Sequence, residues 1–165
     1  MMIRAGLALV AVSICVSHAA QAAPRPSALK ARALAGVEAR TKLAQEINDS
    51  VFSFSELAFH EVETSRYLTD MLEKNGFTVE RGVAGLPTGW VAKWTNGSGG
   101  PVIALGRDID GIPKASQKPG IPWREPLVAG APGHGEGHNS GQAVNIVAAL
   151  AVKDLMQREN IAGTL

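Results

Sequence analysis

Cysteine is nearly absent from this 165-residue chain, in which Cys15 is the only one. Cys15 lies in an N-terminal apolar segment, so the remainder can form no disulfide and its fold must rest on apolar burial. The 45% hydrophobic content allows that for a single small domain. The formal net charge of +1 is also small, which gives no electrostatic case for binding nucleic acid or anionic lipid. Internal repeats and low-complexity tracts are missing as well.

Residues 1–22 have the three parts of a secretory signal peptide. Arg4 supplies the positive charge, residues 7–16 the apolar run, and residues 20–22 the small-x-small cleavage site. The apolar run is too short to span a bilayer, so we expect no membrane attachment once the signal is removed. The mature chain is then expected to begin near Ala23 and to be secreted, with the periplasm as the expected location. Loss of Arg4 brings the 16 basic residues into balance with the 15 acidic ones.

The rest of the chain alternates helical and strand patterns. Amphipathic spacing predicts helices over residues 27–50, 64–75 and 140–160, and alternating or continuous apolar residues predict strands over 77–81, 89–94 and 101–106. The last of these strands is expected to be central and covered on both faces. This order predicts a layered α/β domain. Because a returning strand has barely begun at Gly163, we expect residues 23–165 to be the N-terminal part of that domain.

The most distinctive motif is the stretch 132–141, in which glycine alternates with side chains that can bind a metal ion. His134, Glu136 and His138 fall within five residues, and the glycines between them let the loop fold tightly around a bound ion. Two imidazoles and a carboxylate suit Zn²⁺ or Mn²⁺. The glycines also resemble a loose dinucleotide-binding fingerprint. That alternative is weaker because no strand precedes the loop and no lysine follows it.

A second group of candidate residues follows the strand predicted over 101–106. Asp108 and Asp110 stand where ligands collect in open α/β sheets, and residues two apart on an extended chain share a face. The two acids are therefore well placed for a metal ion or a catalytic proton. The competing interpretation is that they cap a turn before Gly111 and Pro113.

These motifs resemble those of the M20 metallopeptidases and amidohydrolases, within the branch of aminobenzoyl-glutamate utilisation proteins and amino-acid N-acyl amidohydrolases. The resemblance rests on residues 106–113, residues 133–139 and the apolar helix after them, and it covers nearly the whole mature chain. It implies a three-layer, zinc-peptidase-like α/β catalytic domain, incomplete at its C-terminal side. It also implies hydrolysis of an amide bond in a small substrate, such as an N-acyl amino acid or an aminobenzoyl-glutamate-like compound. The reaction would use one or two divalent metals, and the full-length relatives are expected to be homodimers.

The resemblance also assigns roles to the candidate residues. Glu136 and His138 match metal ligands, with Glu136 where close relatives usually carry a cysteine, so Zn²⁺ and Mn²⁺ both remain open. Asp110 matches the catalytic-site acid that orients or tunes a ligand, while Asp108 and His134 are further metal-ligand candidates. The family's general-base glutamate, its later ligands and its inserted lid or dimerisation domain have no counterpart in these 165 residues. We therefore expect a weakly active or inactive piece of an amidohydrolase, the alternative being a non-catalytic periplasmic metal-binding protein.

Overall fold

The computed structural model describes residues 25–165, so the predicted signal peptide at residues 1–22 lies outside the described residues. The described part contains four α-helices: α1 (Pro26–Glu38), α2 (Thr41–Phe54), α3 (Val62–Lys74) and α4 (His138–Arg158). It also contains four short strands: β1 (Thr78–Arg81), β2 (Trp90–Lys93), β3 (Thr95–Asn96) and β4 (Gly163–Thr164). No helix in the part of the chain that is described is long and apolar enough to cross a membrane.

The strands form two small antiparallel pairs. β1 pairs with β2, with Thr78 opposite Lys93, and β3 pairs with β4, with Thr95 opposite Thr164. A third segment joins the second pair, because Val102 forms a parallel bridge with Thr164. β4 is therefore flanked by two neighbours, one on each edge.

Helix α4 is the centre of the core. Its residues Ile146, Val147 and Leu150 are almost fully buried, and α1 and α2 both pack on it. The same core is filled from the other elements by buried apolar side chains, namely Ile47, Val51, Leu68, Leu72 and Phe77. Burial of a side chain of this size contributes about 1.5–3 kcal/mol, so α4 holds the fold together and fixes the position of its own N-terminus.

Two predicted elements differ in the structure. The structure has two helices where the sequence predicts a single one over 27–50. The chain leaves the helical conformation at Arg40 (φ −111°, ψ 15°), and the next helix begins at Thr41, whose hydroxyl donates a hydrogen bond to the Glu38 carbonyl. The central strand expected over 101–106 is wrong as well. Val102 is 79% exposed and forms only the bridge to β4, because neighbouring strands that would cover this segment are not present among residues 25–165. The other helices and strands lie within two residues of their predicted bounds.

Candidate metal centre

The candidate site lies where three segments meet at the N-terminus of α4. Gly111 donates a hydrogen bond to the Glu56 carbonyl, and Ile112 and Gly133 exchange a pair of backbone hydrogen bonds at 2.8 and 3.1 Å. These bonds hold the segment containing Asp108 and Asp110 beside the glycine-rich loop. A Cβ at Gly133 would collide with the Ala115 backbone carbonyl, so only glycine allows this approach.

The loop ends in a left-handed residue that turns it into the helix. Gly137, with φ of 113°, precedes the first helical residue, and that residue is His138 itself rather than Ser140 as the sequence predicts. This conformation favours glycine. The imidazole of His138 is therefore held by a buried helix, and its side chain is only 19% exposed.

Three carboxylates surround the His138 ring. Asp110 lies on one side, with Oδ1 2.9 Å from Nδ1. Glu136 lies on the other side, with Oε2 2.6 Å from Nε2, and Asp108 Oδ2 is 3.7 Å from the same nitrogen. The contact with Asp110 favours the tautomer that carries its proton on Nδ1, because a carboxylate accepts hydrogen bonds. Nε2 then has a free lone pair directed at Glu136.

This arrangement fits part of a metal site. Histidines that bind metals have this arrangement of donors. One ring nitrogen lies close to a second ligand, here a carboxylate oxygen, and the opposite ring nitrogen is held by another carboxylate. However, no three His, Cys, Asp or Glu side chains among residues 25–165 converge as a complete ligand set. Asp110 faces the wrong ring nitrogen to be a ligand together with Nε2, and Asp108 is 82% exposed at 3.7 Å.

His134, the other histidine of the loop, faces α2. Its ring is 6.4 Å from that of Phe52, and its buried Nε2 has no hydrogen-bond partner among residues 25–165. Burial lowers the pKa of His134 below its ordinary value of 6.5, which favours the neutral ring. No hydrogen bond joins His134 to the carboxylates among residues 25–165, and its assignment as a metal ligand stays a prediction.

Arg107 is a site residue that the sequence reasoning missed. Its guanidinium donates to the Gly137 carbonyl at 3.3 Å and lies 3.9 Å from Glu136 Oε1. A Cβ at Gly141 would strike the Arg107 side chain, so the glycine makes room for it on the first turn of α4. The sequence signal for Arg107 is its place inside the motif 106–113, directly before Asp108.

A largely apolar groove adjoins the site. It has a volume of about 930 Å³, and residues of β2, of the segment 102–106 and of α4 line it. Asp110, His138 and Leu165 are also among its lining residues.

No protein-family model matches the chain, but individual relatives do. One of the subunits of the p-aminobenzoyl-glutamate hydrolase of Escherichia coli is 33% identical over 129 residues, which cover 78% of this chain and 26% of the relative. Thermostable carboxypeptidase 1 of Saccharolobus solfataricus is 37% identical over 68 residues, 41% of this chain and 17% of that protein. The chain therefore spans about a quarter of the length of the first relative.

Two solved structures share the fold. A structure described as that of an aminohydrolase from methicillin-resistant Staphylococcus aureus matches 81% of this chain with a TM-score of 0.67 and 22% identity. A dinuclear metal-binding peptidase of the M20 family from Bacillus subtilis matches 77% with a TM-score of 0.61 and 28% identity. The chain covers 33% and 34% of those proteins, respectively. These similarities confirm the predicted α/β catalytic fold, of which the chain represents one part.

Proposed function

Because the chain belongs to the M20 family of metallopeptidases and amidohydrolases, we propose that it contributes one side of a metal-dependent amidohydrolase site, with Glu136 and His138 as ligands. The observation that carries this proposal is the 2.6 Å approach of Glu136 Oε2 to His138 Nε2, on a ring whose Nδ1 faces Asp110. A divalent metal bound there would act as a Lewis acid toward an amide carbonyl.

The chain's own residues orient the donors. Asp110 accepts the Nδ1 proton of His138 and so keeps the Nε2 lone pair free. Arg107 lies within 4 Å of Glu136 and offsets its charge. Asp108 is a third candidate ligand that a small rotation of its exposed side chain would bring closer. A carboxylate at position 136 is compatible with either Zn²⁺ or Mn²⁺.

The substrate class and location are part of the same proposal. We propose a small-molecule amide substrate, an N-acyl amino acid or an aminobenzoyl-glutamate-like compound, hydrolysed outside the cytoplasm by a longer homodimeric protein. Support comes from the relative whose name is that of a p-aminobenzoyl-glutamate hydrolase and from the signal-like residues 1–22. A catalytic zinc takes about three protein ligands, so we expect residues 1–165 alone to turn over little substrate.

Metal titration tests the site directly. Chelator-stripped protein is titrated with Zn²⁺ and with Mn²⁺ in a calorimeter, and the double variant Glu136→Ala/His138→Ala is expected to lose the binding heat. The matched control is His60→Ala/Glu63→Ala, which removes an exposed histidine and glutamate at another place on the surface. Equal metal uptake by all three proteins would show that Glu136 and His138 are not ligands.

One observation favours a second candidate, a non-catalytic metal-binding protein. The described residues 25–165 hold no complete three-ligand cluster. Assays with Zn²⁺ or Mn²⁺ on acyl-amino-acid and aminobenzoyl-glutamate substrates separate the two. Steady turnover by the 165-residue chain would exclude the non-catalytic candidate and would also contradict our expectation of low activity.

A further inference from the structure

Helix α2 is the element to which both halves of the candidate metal centre are attached. The chain leaves α2 through Glu56, whose backbone carbonyl accepts a hydrogen bond of 2.6 Å from the residue that follows Asp110. Near the middle of α2, the Asn48 side chain accepts a hydrogen bond of 3.0 Å from the side chain of Asn139, which directly follows His138 on α4. The acid and the imidazole therefore have α2 as a common support.

The apolar contacts between α2 and α4 are extensive but carry little directional information. Ile47 and Val51 of α2 are fully buried in the same core as Ile146 and Val147 of α4. Hydrophobic burial is non-directional, so these contacts specify the rotation of α4 about its axis less sharply than a hydrogen bond does. Successive residues of an α-helix are about 100° apart, so a rotation of α4 that displaces the residue after His138 displaces the His138 ring with it.

The bond between Asn48 and Asn139 has a defined direction. The Asp49 carboxylate accepts hydrogen bonds from Asn48 Nδ2 at 3.1 Å and from Gln45 Nε2 at 2.7 Å. Because an ionised carboxylate offers acceptors only, Asn48 turns its amide nitrogen to Asp49 and its carbonyl oxygen to Asn139. Asn139 is only 8% exposed, and a buried amide that loses its partner destabilises the folded chain. The three side chains thus favour a single arrangement.

A buried polar pair of this kind fixes an alignment more than it adds stability. Replacing both members of such a pair by apolar side chains of similar shape can be nearly neutral for stability. In coiled coils, in contrast, one buried asparagine is enough to fix the register of the helices. The distance of 2.9 Å between Asp110 Oδ1 and His138 Nδ1 depends on the rotation of α4, which is the quantity that an amide pair beside His138 would fix.

We propose that Asn48 is a positioning residue for the metal centre. Through Asn139 it sets the rotation of the first turn of α4, and this keeps Nδ1 of the His138 ring on Asp110 and Nε2 toward Glu136. The role deepens the proposed function and rests on it, because an oriented ring matters for metal binding only if Glu136 and His138 are ligands. The orientation itself is measurable in metal-free protein.

The test compares Asn48→Leu, which removes the acceptor, with Asn48→Asp, which keeps an acceptor oxygen. The control is Gln45→Leu, the same exchange of an amide for leucine at an exposed position of α2. In chelator-treated protein, NMR of isotope-labelled histidine shows which nitrogen of the His138 ring carries the proton. We expect the Nδ1 tautomer in the wild-type chain, in Asn48→Asp and in Gln45→Leu, and a mixture of both tautomers in Asn48→Leu.

Metal affinity is the second readout. In a calorimetric titration, the Kd for Zn²⁺ is expected to rise about tenfold in Asn48→Leu, the lower end of the loss that follows removal of a residue that orients a ligand. Asn48→Asp and Gln45→Leu are expected to bind Zn²⁺ as the wild-type chain does.

A double variant separates positioning from stability. Asn48→Leu leaves the buried Asn139 amide without its acceptor and is expected to lower the urea midpoint, whereas Asn48→Leu/Asn139→Leu removes both polar groups and is expected to regain it. If the pair positions the ring, the double variant still shows mixed tautomers and weakened Zn²⁺ binding, although it is as stable as the wild-type chain.

Three results would overturn the proposal. They are a single Nδ1 tautomer in Asn48→Leu, equal effects of Asn48→Leu and Asn48→Asp, and recovery of the wild-type tautomer and Zn²⁺ affinity in the double variant together with its stability. The last result would make the pair purely structural. If the wild-type chain binds no Zn²⁺ but the tautomer still changes in Asn48→Leu, the proposed ligands fail while the positioning of the ring by Asn48 stands.

Discussion

Removal of the Asp110 carboxylate should weaken metal binding without unfolding the protein. Asp110 Oδ1 is 2.9 Å from His138 Nδ1, and the backbone carbonyl of Asp110 is 3.1 Å from the same nitrogen. In Asp110→Ala the neutral backbone carbonyl remains as an acceptor, while the charged side-chain carboxylate is lost. The tautomer that frees Nε2 is therefore still possible, but it is less favoured and the ring is less firmly oriented.

The size of this effect can be worked out in two ways. A hydrogen bond to a charged group contributes about 1.5–3 kcal/mol. Loss of a partner that orients a metal-ligating histidine typically costs about 10–100-fold in affinity, which corresponds to about 1.4–2.8 kcal/mol. Because the Asp110 side chain is 30% exposed and one acceptor remains, we expect the lower half of that range, about 10–30-fold.

Calorimetric titration of the chelator-stripped variant with Zn²⁺ and Mn²⁺ measures the change in Kd. Asp110→Asn keeps an acceptor oxygen without the charge and is expected to fall between the wild-type chain and Asp110→Ala. Asp70→Ala is the control for charge, because it removes an exposed acid on α3. The reasoning is refuted if Asp110→Ala binds metal as tightly as the wild-type chain, or if Asp70→Ala weakens binding equally.

Three other substitutions test the scaffold. Gly133→Ala is expected to lower the free energy of unfolding, measured by urea denaturation, by about 2 kcal/mol. A Cβ there meets the Ala115 carbonyl and disrupts the two backbone hydrogen bonds between Ile112 and Gly133, which are worth about 1 kcal/mol each. Leu68→Ala, at a fully buried position on α3, is expected to cost about 2–5 kcal/mol in the same assay. The hydrogen bond from Arg81 lowers the pKa of Glu73 below its ordinary value of 4.5. The contribution of this ion pair to the free energy of unfolding is therefore complete above pH 4.5, and it is lost as the pH falls through the lower pKa that Glu73 has in the folded state. Glu73→Gln should therefore be less stable than the wild-type chain near neutral pH, and the difference should vanish in acid.

Each scaffold variant has a matched control on the same chain. Gly135→Ala places its Cβ in ordinary contact with the Ile112 side chain and should leave stability nearly unchanged. Leu34→Ala removes a side chain that is 69% exposed, and Glu80→Gln removes an exposed charge from the same hairpin as Arg81. A control that loses as much stability as its partner would show that the loss does not come from the contact named.

The sequence predicted the elements that depend on local pattern and missed those that depend on distant neighbours. The apolar face of α4 and the alternation in β2 were sufficient to locate both elements. The break at Arg40 carries no glycine or proline, and it separates two helices that both pack on α4. The continuous apolar run at 101–106 is typical of a central strand, yet a strand is central only when neighbours lie on both edges. Within residues 25–165, only β4 reaches it.

In the candidate site, too, the sequence predicted which residues come together but not which of their atoms meet. The spacing of Asp108 and Asp110 indicated that both carboxylates can point one way, and in the structure they approach different nitrogens of the His138 ring. Spacing does not determine which nitrogen each one reaches. The backbone bonds of Gly111 to Glu56 and of Ile112 to Gly133 hold this segment beside the loop, where Asp110 meets Nδ1 and Asp108 lies on the Nε2 side. The proposal therefore gives the two acids different roles: Asp110 would orient the His138 ring, whereas Asp108 would join Glu136 as a donor.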